Sequence, residues 1–424
     1  MSDTIFALSS GSPPAAIGII RISGGSAREA LERLAGRVRE PRRATLRTLR
    51  DGAGGVLDRA LVLWFDGPQT ATGEELAEIH CHGGRAVVAA IEGALASIPG
   101  LRKAEPGEFT RRAFANGVLD LAEAEGLADL LAAETELQRL AAQASADGAL
   151  STQVDAWRSQ VLGLSAYVEA ALDFSDEDDV EVLPPAFQDG LAAVLAEIRA
   201  ALQSPRAERL RDGIRVVLAG PPNAGKSSLF NALLNEGAAI VTDEAGTTRD
   251  VIERPVAFEG MPFVLIDTAG LRDDGAALVE AIGIDRARKE LEKADIVLWL
   301  GAEGEGPEGA LEIAAKCDLE GAGKKNADHT LSSASGFGLE GLVEDLVARA
   351  RGLVPKRGMA AFNQRQAEAL GHAFDALEGI EEGDDLLLIG ERLRLARRAF
   401  DRLLGRQSTE EVLDALFGRF CIGK

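Results

Sequence analysis

The chain has 424 residues, of which 46% are hydrophobic and 27% charged, a composition typical of globular proteins with packed cores. The net charge of −22 argues against a global attraction to nucleic acid, so any such contact has to be local. No apolar run reaches the ~18 residues of a membrane span. The three cysteines, Cys81, Cys317 and Cys421, give no disulfide framework. We therefore expect a cytoplasmic protein without a secretory signal or a membrane contact.

Residues 1–117 are predicted to form a mixed α/β domain. The apolar patterns indicate strands and helices in alternation, with strands over 16–23, 59–65 and 78–82 and helices over 27–34 and 85–97. His80 and His82 flank Cys81 in the third strand, so the two histidines share one face and the cysteine lies on the other. This geometry favours strand packing over a metal site.

Helical spacing begins after residue 117. Apolar residues recur every three or four positions over 119–140, 154–172 and 187–203, and again over 386–403 and 412–420. Helices on both sides of residues 213–350 therefore need partners, and we predict that they pack on each other. This makes 118–212 and 351–424 two parts of one helical domain, into which 213–350 is inserted. The acidic run Asp176–Asp179 is interpreted as a solvated loop.

A phosphate-binding loop is predicted at residues 220–227. The apolar strand 214–219 leads into GPPNAGKS, which fits GxxxxGKS, and a helix follows. In this context the backbone N–H groups surround the phosphates. Lys226 is expected to bridge the β- and γ-phosphates, and Ser227 to ligate Mg²⁺.

A nucleotide switch is predicted from two further motifs. Strand 263–266 ends in Asp267-Thr268-Ala269-Gly270, where Asp267 can hold Mg²⁺ through water and the Gly270 N–H can sense the γ-phosphate. Between the two motifs lies Gly246–Asp250, in which a threonine hydroxyl reaches Mg²⁺ only when the γ-phosphate is present. Two loops would then be ordered by a single phosphate.

Guanine is favoured over adenine by residues after a third strand, 311–315. Asp318, in Lys316-Cys317-Asp318, can accept hydrogen bonds from the N1–H and 2-amino groups that only guanine offers. The Ser333-Ala334 pair fits a backbone contact to the guanine O6. The predicted GTP-binding residues are Asn223, Ala224, Gly225, Lys226, Ser227, Ser228, Thr242, Asp243, Glu244, Ala245, Gly246, Thr247, Thr248, Asp267, Thr268, Ala269, Gly270, Lys316, Asp318, Ser333, Ala334 and Ser335.

Three features depart from the usual GTPase pattern. Ala315 replaces an asparagine, which removes a base contact and a tether to the phosphate loop, at a cost of about 1 kcal/mol. The segment between Leu300 and Leu311 is too short for the usual crossover helix. Leu271 stands where Ras-like enzymes use a glutamine to orient water. Glu280 could replace it, although spacing alone favours a solvated carboxylate on a helix.

The combined motifs resemble one family, the tRNA uridine-5-carboxymethylaminomethyl modification GTPases, called MnmE or TrmE. The GTPase motifs with Thr-Thr-Arg-Asp are similar to the Era-like branch, and the C-terminal FCIGK matches the tail of this family. The resemblance covers essentially the whole chain, and further matches are IGIIRISG at 17–24, EIHCHGG at 78–84, PGEFTRRAFAN at 106–116 and LDLAEAEGLA at 119–128.

The resemblance implies a multidomain α/β plus α fold. Its parts are an N-terminal folate-binding and dimerisation domain, a helical domain and an inserted, doubly wound Ras/Era-like GTPase domain. It also implies a homodimer that works with an FAD flavoprotein, MnmG or GidA, as a heterotetramer. Together they would add an aminomethyl or carboxymethylaminomethyl group to C5 of the tRNA wobble uridine. A 5-formyl- or 5,10-methylene-tetrahydrofolate would supply the carbon, with potassium-dependent GTP hydrolysis through G-domain dimerisation.

The resemblance also implies roles for individual residues. Arg21, Glu78 and Lys424 match folate contacts, and Val118 stands where the family has a lysine. The implied Mg²⁺ ligands are Ser227 and Thr248, and the implied K⁺ ligands are Asn223, Thr242, Glu244 and Thr247. The implied catalytic residues are Glu280, which would orient water, Lys226, and Cys421, which would act near the folate.

Several alternatives stay open at the sequence level. Cys421 could instead be a small buried residue at a helix end. The helical stripe Arg394, Arg397, Arg398 and Arg402 could contact tRNA or a partner, or form a solvated surface. The whole chain could instead be an Era-like regulatory switch in ribosome assembly, or a folate-binding scaffold whose GTPase is crippled by Ala315 and the missing helix.

Overall fold

The computed structural model describes residues 3–173, 183–239, 252–268, 288–319, 324–356, 359, 361–381, 383–407 and 409–424. Backbone contacts divide the chain into two compact units, residues 1–128 with 397–424, and residues 129–396. Among the described residues, none of the helices combines the length and apolarity that a bilayer crossing requires.

A six-stranded sheet forms the centre of the first unit. Its strands are β1 Thr4–Leu8, β2 Ile17–Ser23, β3 Thr45–Arg50, β4 Val56–Phe65, β5 Leu76–His82 and β6 Leu101–Lys103. They lie in the order β3-β4-β5-β2-β1-β6, and neighbours are antiparallel except for β1 and β6. The predicted strands at 16–23, 59–65 and 78–82 correspond to β2, β4 and β5, whereas β1, β3 and β6 were not predicted.

Helices cover the two faces of this sheet unequally. They are α1 Ala27–Ala35, α2 Arg85–Ala96, α3 Glu108–Ala115, α4 Leu121–Ala132, which continues into the second unit, and α13 Glu410–Phe417. Strand β2 buries Ile20 and Ile22 in a core with residues of α1 and α2. The alternate residues of β2 point to the other face. There, Phe109 of α3 packs on Ile5 and Ala7, which leaves room beside it for polar groups.

The second unit contains the remaining helices. They are α5 Glu136–Ala146, α6 Ala149–Asp173, α7 Pro185–Leu202, α8 Ala207–Arg211, α9 Lys226–Glu236, α10 Leu339–Arg351, α11 Gln364–Glu378 and α12 Leu386–Leu403, which ends in the first unit. Helix α7 packs against both α6 and α11. Trp157 of α6 is fully buried and stacks on Phe362 at a ring-centroid distance of 6.3 Å. Helices before and after the inserted segment therefore pack together, as the periodicity predicted.

A seven-stranded sheet lies between those helices in sequence. Its strands are β7 Ile214–Ala219, β8 Ala238–Ala239, β9 Ile252–Phe258, β10 Met261–Asp267, β11 Ile296–Trp299, β12 Leu311–Ala315 and β13 His329–Leu331, in the order β13-β12-β11-β7-β10-β9-β8. The first five strands in that order are parallel, and β9 and β8 are antiparallel additions at one edge. Residues 301–310 contain no helix, as predicted.

The predicted fold class is confirmed, with a mixed α/β N-terminal region, a helical region and a parallel, doubly wound GTPase-type sheet. The two compact units group residues differently from the predicted division at 117, 212 and 350. Those boundaries stay a prediction.

Two glycines flanking α3 differ in what surrounds them. A Cβ on Gly107, which has φ +70°, would lie 2.2 Å from the Phe417 carbonyl oxygen, whereas one on Gly117, φ +69°, would meet nothing within 4 Å. We predict that Gly117→Ala lowers the free energy of unfolding by about 1–2 kcal/mol, the cost of a left-handed alanine. Gly107→Ala should lower it further because α13 has to move. Urea denaturation of both variants measures the difference, and equal losses would contradict the prediction.

Candidate functional site

The phosphate loop closes around the side chain of its own lysine. Lys226 is 6% exposed, and its Nζ donates hydrogen bonds to the carbonyl oxygens of Gly220 and Pro221, both at 2.9 Å. The loop begins directly after β7, and α9 starts at Lys226. The strand–loop–helix arrangement therefore places an ammonium group and the helix N-terminus on the same loop, as phosphate binding requires.

Glycine is favoured at two points of this loop, because backbone lies close to Gly220 and the Lys316 side chain lies close to Gly225. A Cβ on Gly220 would lie 3.0 Å from the Gly301 nitrogen, and one on Gly225 would lie 3.3 Å from Lys316 Cε. Gly220 and Gly225 also have φ values of +145° and +102°. The loop is thus fitted between the segment that follows β11 and the segment that follows β12.

Two of the predicted magnesium-site residues are in direct contact. The Ser227 hydroxyl donates to Asp267 Oδ2 at 2.7 Å, and Asp267 is only 2% exposed. A hydroxyl and a carboxylate are hard oxygen ligands, so this pair fits Mg²⁺, either directly or through water. The next residue, Thr268, points elsewhere, because its hydroxyl donates to the Leu218 carbonyl oxygen at 2.8 Å.

The base-binding segment corrects one sequence-based prediction. Ala315 was expected to leave the phosphate loop without a tether, but Lys316 Nζ donates to the Asn223 carbonyl oxygen at 2.6 Å. Lys316 and Asn223 have φ values of +84° and +60°, and these left-handed conformations bring the two segments together. The tether is therefore present and comes from the next residue.

Sequence reasoning missed Ser332 as a residue that supports Asp318. A hydrogen bond from the buried Ser332 lowers the pKa of the Asp318 carboxyl. Ser332 also accepts a hydrogen bond from the Ser335 N–H at 3.4 Å, so the same hydroxyl supports the turn at 333–335. Ser332 directly precedes the predicted Ser333-Ala334 pair, and this position is the sequence feature from which its role could have been predicted.

Some predicted residues lie outside the part of the chain that the structure describes. They are Thr242, Asp243, Glu244, Ala245, Gly246, Thr247, Thr248, Ala269, Gly270 and Glu280, together with Asp176–Asp179. The described predicted nucleotide residues, from Asn223 to Ser335, all follow the carboxyl ends of β7, β10, β12 and β13. In a parallel sheet this edge is where ligands bind.

The C-terminal tail docks on the first unit beside β1 and α3. Ile422 forms an isolated bridge with Pro106, and the Phe109 N–H donates to the Lys424 carbonyl oxygen at 3.2 Å. A Cβ on Gly423, φ +100°, would lie 2.1 Å from the Leu8 carbonyl oxygen, so only glycine fits there. The last residues of the chain are therefore held by its first strand.

The predicted folate residues Arg21 and Glu78 face each other across β2 and β5. The Arg21 guanidinium donates to Glu78 Oε1 at 3.0 and 3.2 Å and lies 6.0 Å from the Phe109 ring centroid. His80 Nε2 lies 3.1 Å from Glu78 Oε2. Burial raises the pKa of Glu78, but the hydrogen bonds from His80 and Arg21 outweigh it, so the net pKa is lowered.

The other predicted residues of this region lie further apart. The Lys424 backbone is bonded to Phe109 at the start of α3, whereas Val118, 41% exposed, follows the opposite end of α3 near Gly73. Cys421 is exposed, so the alternative of a buried packing residue is wrong.

The remaining sequence candidates have local partners. His82 Nδ1 lies 2.8 Å from Asp58 Oδ1, and no cluster of three or more metal-ligand residues exists among the described residues. The predicted arginine stripe lies on α12. Arg394 pairs with Glu391, whereas the Nε atom of Arg397 is buried. A contact of the stripe with tRNA or a partner stays a prediction.

Comparison with known proteins shows which family the chain is similar to. The family model described as MnmE helical domain matches residues 121–421, and the one described as GTP-binding protein TrmE N-terminus matches residues 4–118. The tRNA modification GTPase MnmE of Erythrobacter litoralis (strain HTCC2594) is 63% identical over 423 residues, 100% of both chains. That of Novosphingobium aromaticivorans is 58% identical over 438 residues, also 100% of both chains.

A solved structure matches part of the chain. The G domain of the T. maritima FeoB iron transporter is 28% identical and covers 32% of this chain and 98% of its own, with a TM-score of 0.23. That TM-score is too low to support an inference.

The lowered pKa of Glu78 predicts how stability changes with pH. A carboxyl whose folded pKa lies below its unfolded value of 4.5 stabilises the fold above pH 4.5, and this contribution is lost as the pH falls. Glu78→Gln should therefore cost more free energy of unfolding at pH 7 than at pH 4.

Glu75→Gln is the matched control, because burial raises the pKa of Glu75. A raised pKa reverses the sign, so the cost of this substitution should be smaller at pH 7 than at pH 4. Urea unfolding at both pH values measures the four differences. The same pH trend in the two variants would contradict the assignment.

Proposed function

The chain belongs to the MnmE family of tRNA modification GTPases, and from this premise we propose that its GTP hydrolysis drives modification of the tRNA wobble uridine at C5. The group added would be an aminomethyl or carboxymethylaminomethyl group. The observation that carries the proposal is the full-length match, which includes both the phosphate loop and the tail that docks beside β1 and α3. We place this reaction in the cytoplasm.

The GTPase cycle would use the oxygen and nitrogen groups at the sheet edge. Lys226 Nζ would give up its hydrogen bonds to the two loop carbonyl oxygens. It would donate instead to oxygens of the β- and γ-phosphates, which the same loop would surround. Ser227 and Thr248 would ligate Mg²⁺, with Asp267 acting through water. Asp318, to which Ser332 donates a hydrogen bond, would accept hydrogen bonds from the N1–H and 2-amino groups of guanine.

Hydrolysis would depend on potassium and on pairing of two G domains. Asn223, Thr242, Glu244 and Thr247 would hold K⁺ beside the γ-phosphate, where it offsets the charge of the transition state. Glu280 would orient the attacking water, since Leu271 has no group that can do so. Asn223 has φ +60°, which supports a loop backbone shaped for a ligand at this point.

The first unit would bind the one-carbon donor, 5-formyl- or 5,10-methylene-tetrahydrofolate. Arg21, Glu78 and Lys424 offer a guanidinium, a carboxylate and an ammonium, which fit the polar groups of a folate. Val118 replaces a cationic contact with an apolar one, so folate would bind with one ionic contact fewer. The exposed Cys421 would act near this site.

The assembly would be a homodimer joined by an MnmG-type FAD flavoprotein in a heterotetramer. Within each copy we propose a folate-binding domain at 1–117, a helical domain from 118–212 and 351–424, and a GTPase domain at 213–350. The basic stripe on α12 would contribute a local tRNA contact on a chain whose net charge is −22.

Analysis of tRNA nucleosides tests the proposed reaction. A strain that lacks this chain should lose the C5 aminomethyl-type groups from its wobble uridines, and mass spectrometry of digested tRNA measures them. The wild-type chain should restore the groups, whereas Ser227→Ala, which removes a predicted Mg²⁺ ligand, should not. Unchanged wobble uridines in the deletion strain would contradict the proposal and favour a regulatory role.

Turnover in different salts tests the potassium site. We expect GTP hydrolysis to be at least about tenfold faster in potassium than in sodium buffer of equal ionic strength, since one stabilising charge is typically worth more than ~1.4 kcal/mol. Glu280→Ala should lower kcat about a hundredfold or more with GDP affinity unchanged. Negligible turnover in both buffers would instead favour a folate-binding scaffold.

A further inference from the structure

The connection between β11 and β12 is closed by a tryptophan instead of a helix. The Trp299 ring lies against Gly301 and Gly306, where an added Cβ would come within 2.4 and 2.7 Å of ring atoms. Its indole Nε1 donates to the Ala302 carbonyl oxygen at 2.8 Å. Residues 301–310 therefore pack around the Trp299 side chain, and we call this segment the cap. The cap covers less of the sheet than a crossover helix would.

A shielded ion pair joins the two strands beneath this cap. Lys324 Nζ donates to the Trp299 carbonyl oxygen at 2.8 Å and to Glu312 Oε2 at 2.5 Å. The Lys324 and Glu312 side chains are only 9% and 18% exposed. Trp299 is the last residue of β11 and Glu312 lies opposite it in β12. One ammonium group therefore connects the last residue of β11 to the second residue of β12, three residues before the nucleotide-facing end of β12.

The same carboxylate also holds the cap. Glu312 Oε1 accepts a hydrogen bond from the Gly304 N–H at 3.0 Å. A second cap residue, Glu303, accepts from the backbone N–H groups of Lys325 and Asn326 at 2.7 and 3.2 Å. The cap, the two strands and the segment from residue 324 are thus joined by ionised groups.

Both joined strands continue directly to the phosphate loop. After Trp299, the Leu300–Gly301 backbone lies against Gly220, as the 3.0 Å distance from a Gly220 Cβ to the Gly301 nitrogen shows. Three residues after Glu312, Ala315 lies 3.6 Å from a Cβ on Gly225, and Lys316 bonds the Asn223 carbonyl oxygen. A change in the spacing of the two strand ends would therefore change the position of Asp318 relative to the loop.

We propose that Lys324 and Glu312 are positioning residues for guanine-nucleotide binding, which take over the bracing that the missing crossover helix would provide. The proposal rests on the guanine site proposed at Lys316 and Asp318. Removing one charge leaves the other shielded and unpaired, which is more costly than never having had the pair. The strand ends then separate, and the base-binding segment moves more than the phosphate loop, which α9 also holds.

Nucleotide affinity of the full-length chain tests the proposal. Lys324→Met removes the charge but keeps the length, and Lys325→Met is the control because Lys325 is an exposed neighbour. We expect Lys324→Met to weaken GDP binding about tenfold, the order of one charged hydrogen bond. Inosine diphosphate, which lacks the 2-amino group, should be weakened less, so the GDP-to-IDP affinity ratio falls. The kcat for GTP should stay within about twofold, because the phosphate loop is retained.

A second variant covers the possibility that Lys324→Met does not fold. Glu312→Gln keeps an oxygen acceptor for Lys324 but removes the charge, and it should lower the GDP-to-IDP ratio in the same direction. An unchanged ratio in both variants, with a lower melting temperature, would show a purely structural pair and overturn the proposal. A wild-type chain that binds GDP and IDP equally would instead overturn the guanine site itself.

Discussion

The nucleotide site depends on the close fit of the phosphate loop between the ends of two parallel strands. A side chain at Gly220 would meet the Gly301 backbone, and one at Gly225 would be strained by its φ of +102° and would crowd the Lys316 side chain. This fit fixes the loop carbonyls that receive Lys226 and brings Ser227 within 2.7 Å of Asp267. The residues predicted to contact phosphate, metal and base are therefore held together by contacts between the loop and the neighbouring strands.

Two usual features of a GTPase are missing from this domain, the asparagine at position 315 and the crossover helix. Residues close to them in sequence make other contacts there. The asparagine missing at position 315 is offset by Lys316, whose left-handed backbone turns its ammonium group to the phosphate loop. Where the crossover helix is missing, the Trp299 indole bonds the Ala302 carbonyl oxygen and Lys324 pairs with Glu312, and we propose that these contacts offset its absence. An ammonium group that bonds to two strands can hold them together without a covering helix, because leaving a shielded charge without its partner is costly.

The first unit shows a similar dependence on a close backbone fit. Gly423 lies so near the Leu8 carbonyl oxygen that no side chain is possible, and Lys424 is bonded to the start of α3 through Phe109. Phe109 in turn lies below the Arg21 guanidinium. The first strand and the last residues of the chain therefore meet beside α3.

The sequence by itself determined the features that repeat locally. It predicted the strand–loop–helix of Gly220–Ser227, the strands 214–219 and 311–315, the amphipathic helices and the absence of a helix over 301–310, because each depends on neighbouring residues. Strands β1, β3 and β6 were not predicted. The sequence of β3, TLRTLR, repeats every three residues and lacks the alternation of a strand, and β6 has only three residues. Only the tertiary structure decided the Lys316 tether, the support of Asp318 by Ser332 and the Lys324–Glu312 pair. These contacts join residues far apart in the chain, and no local spacing encodes such distances.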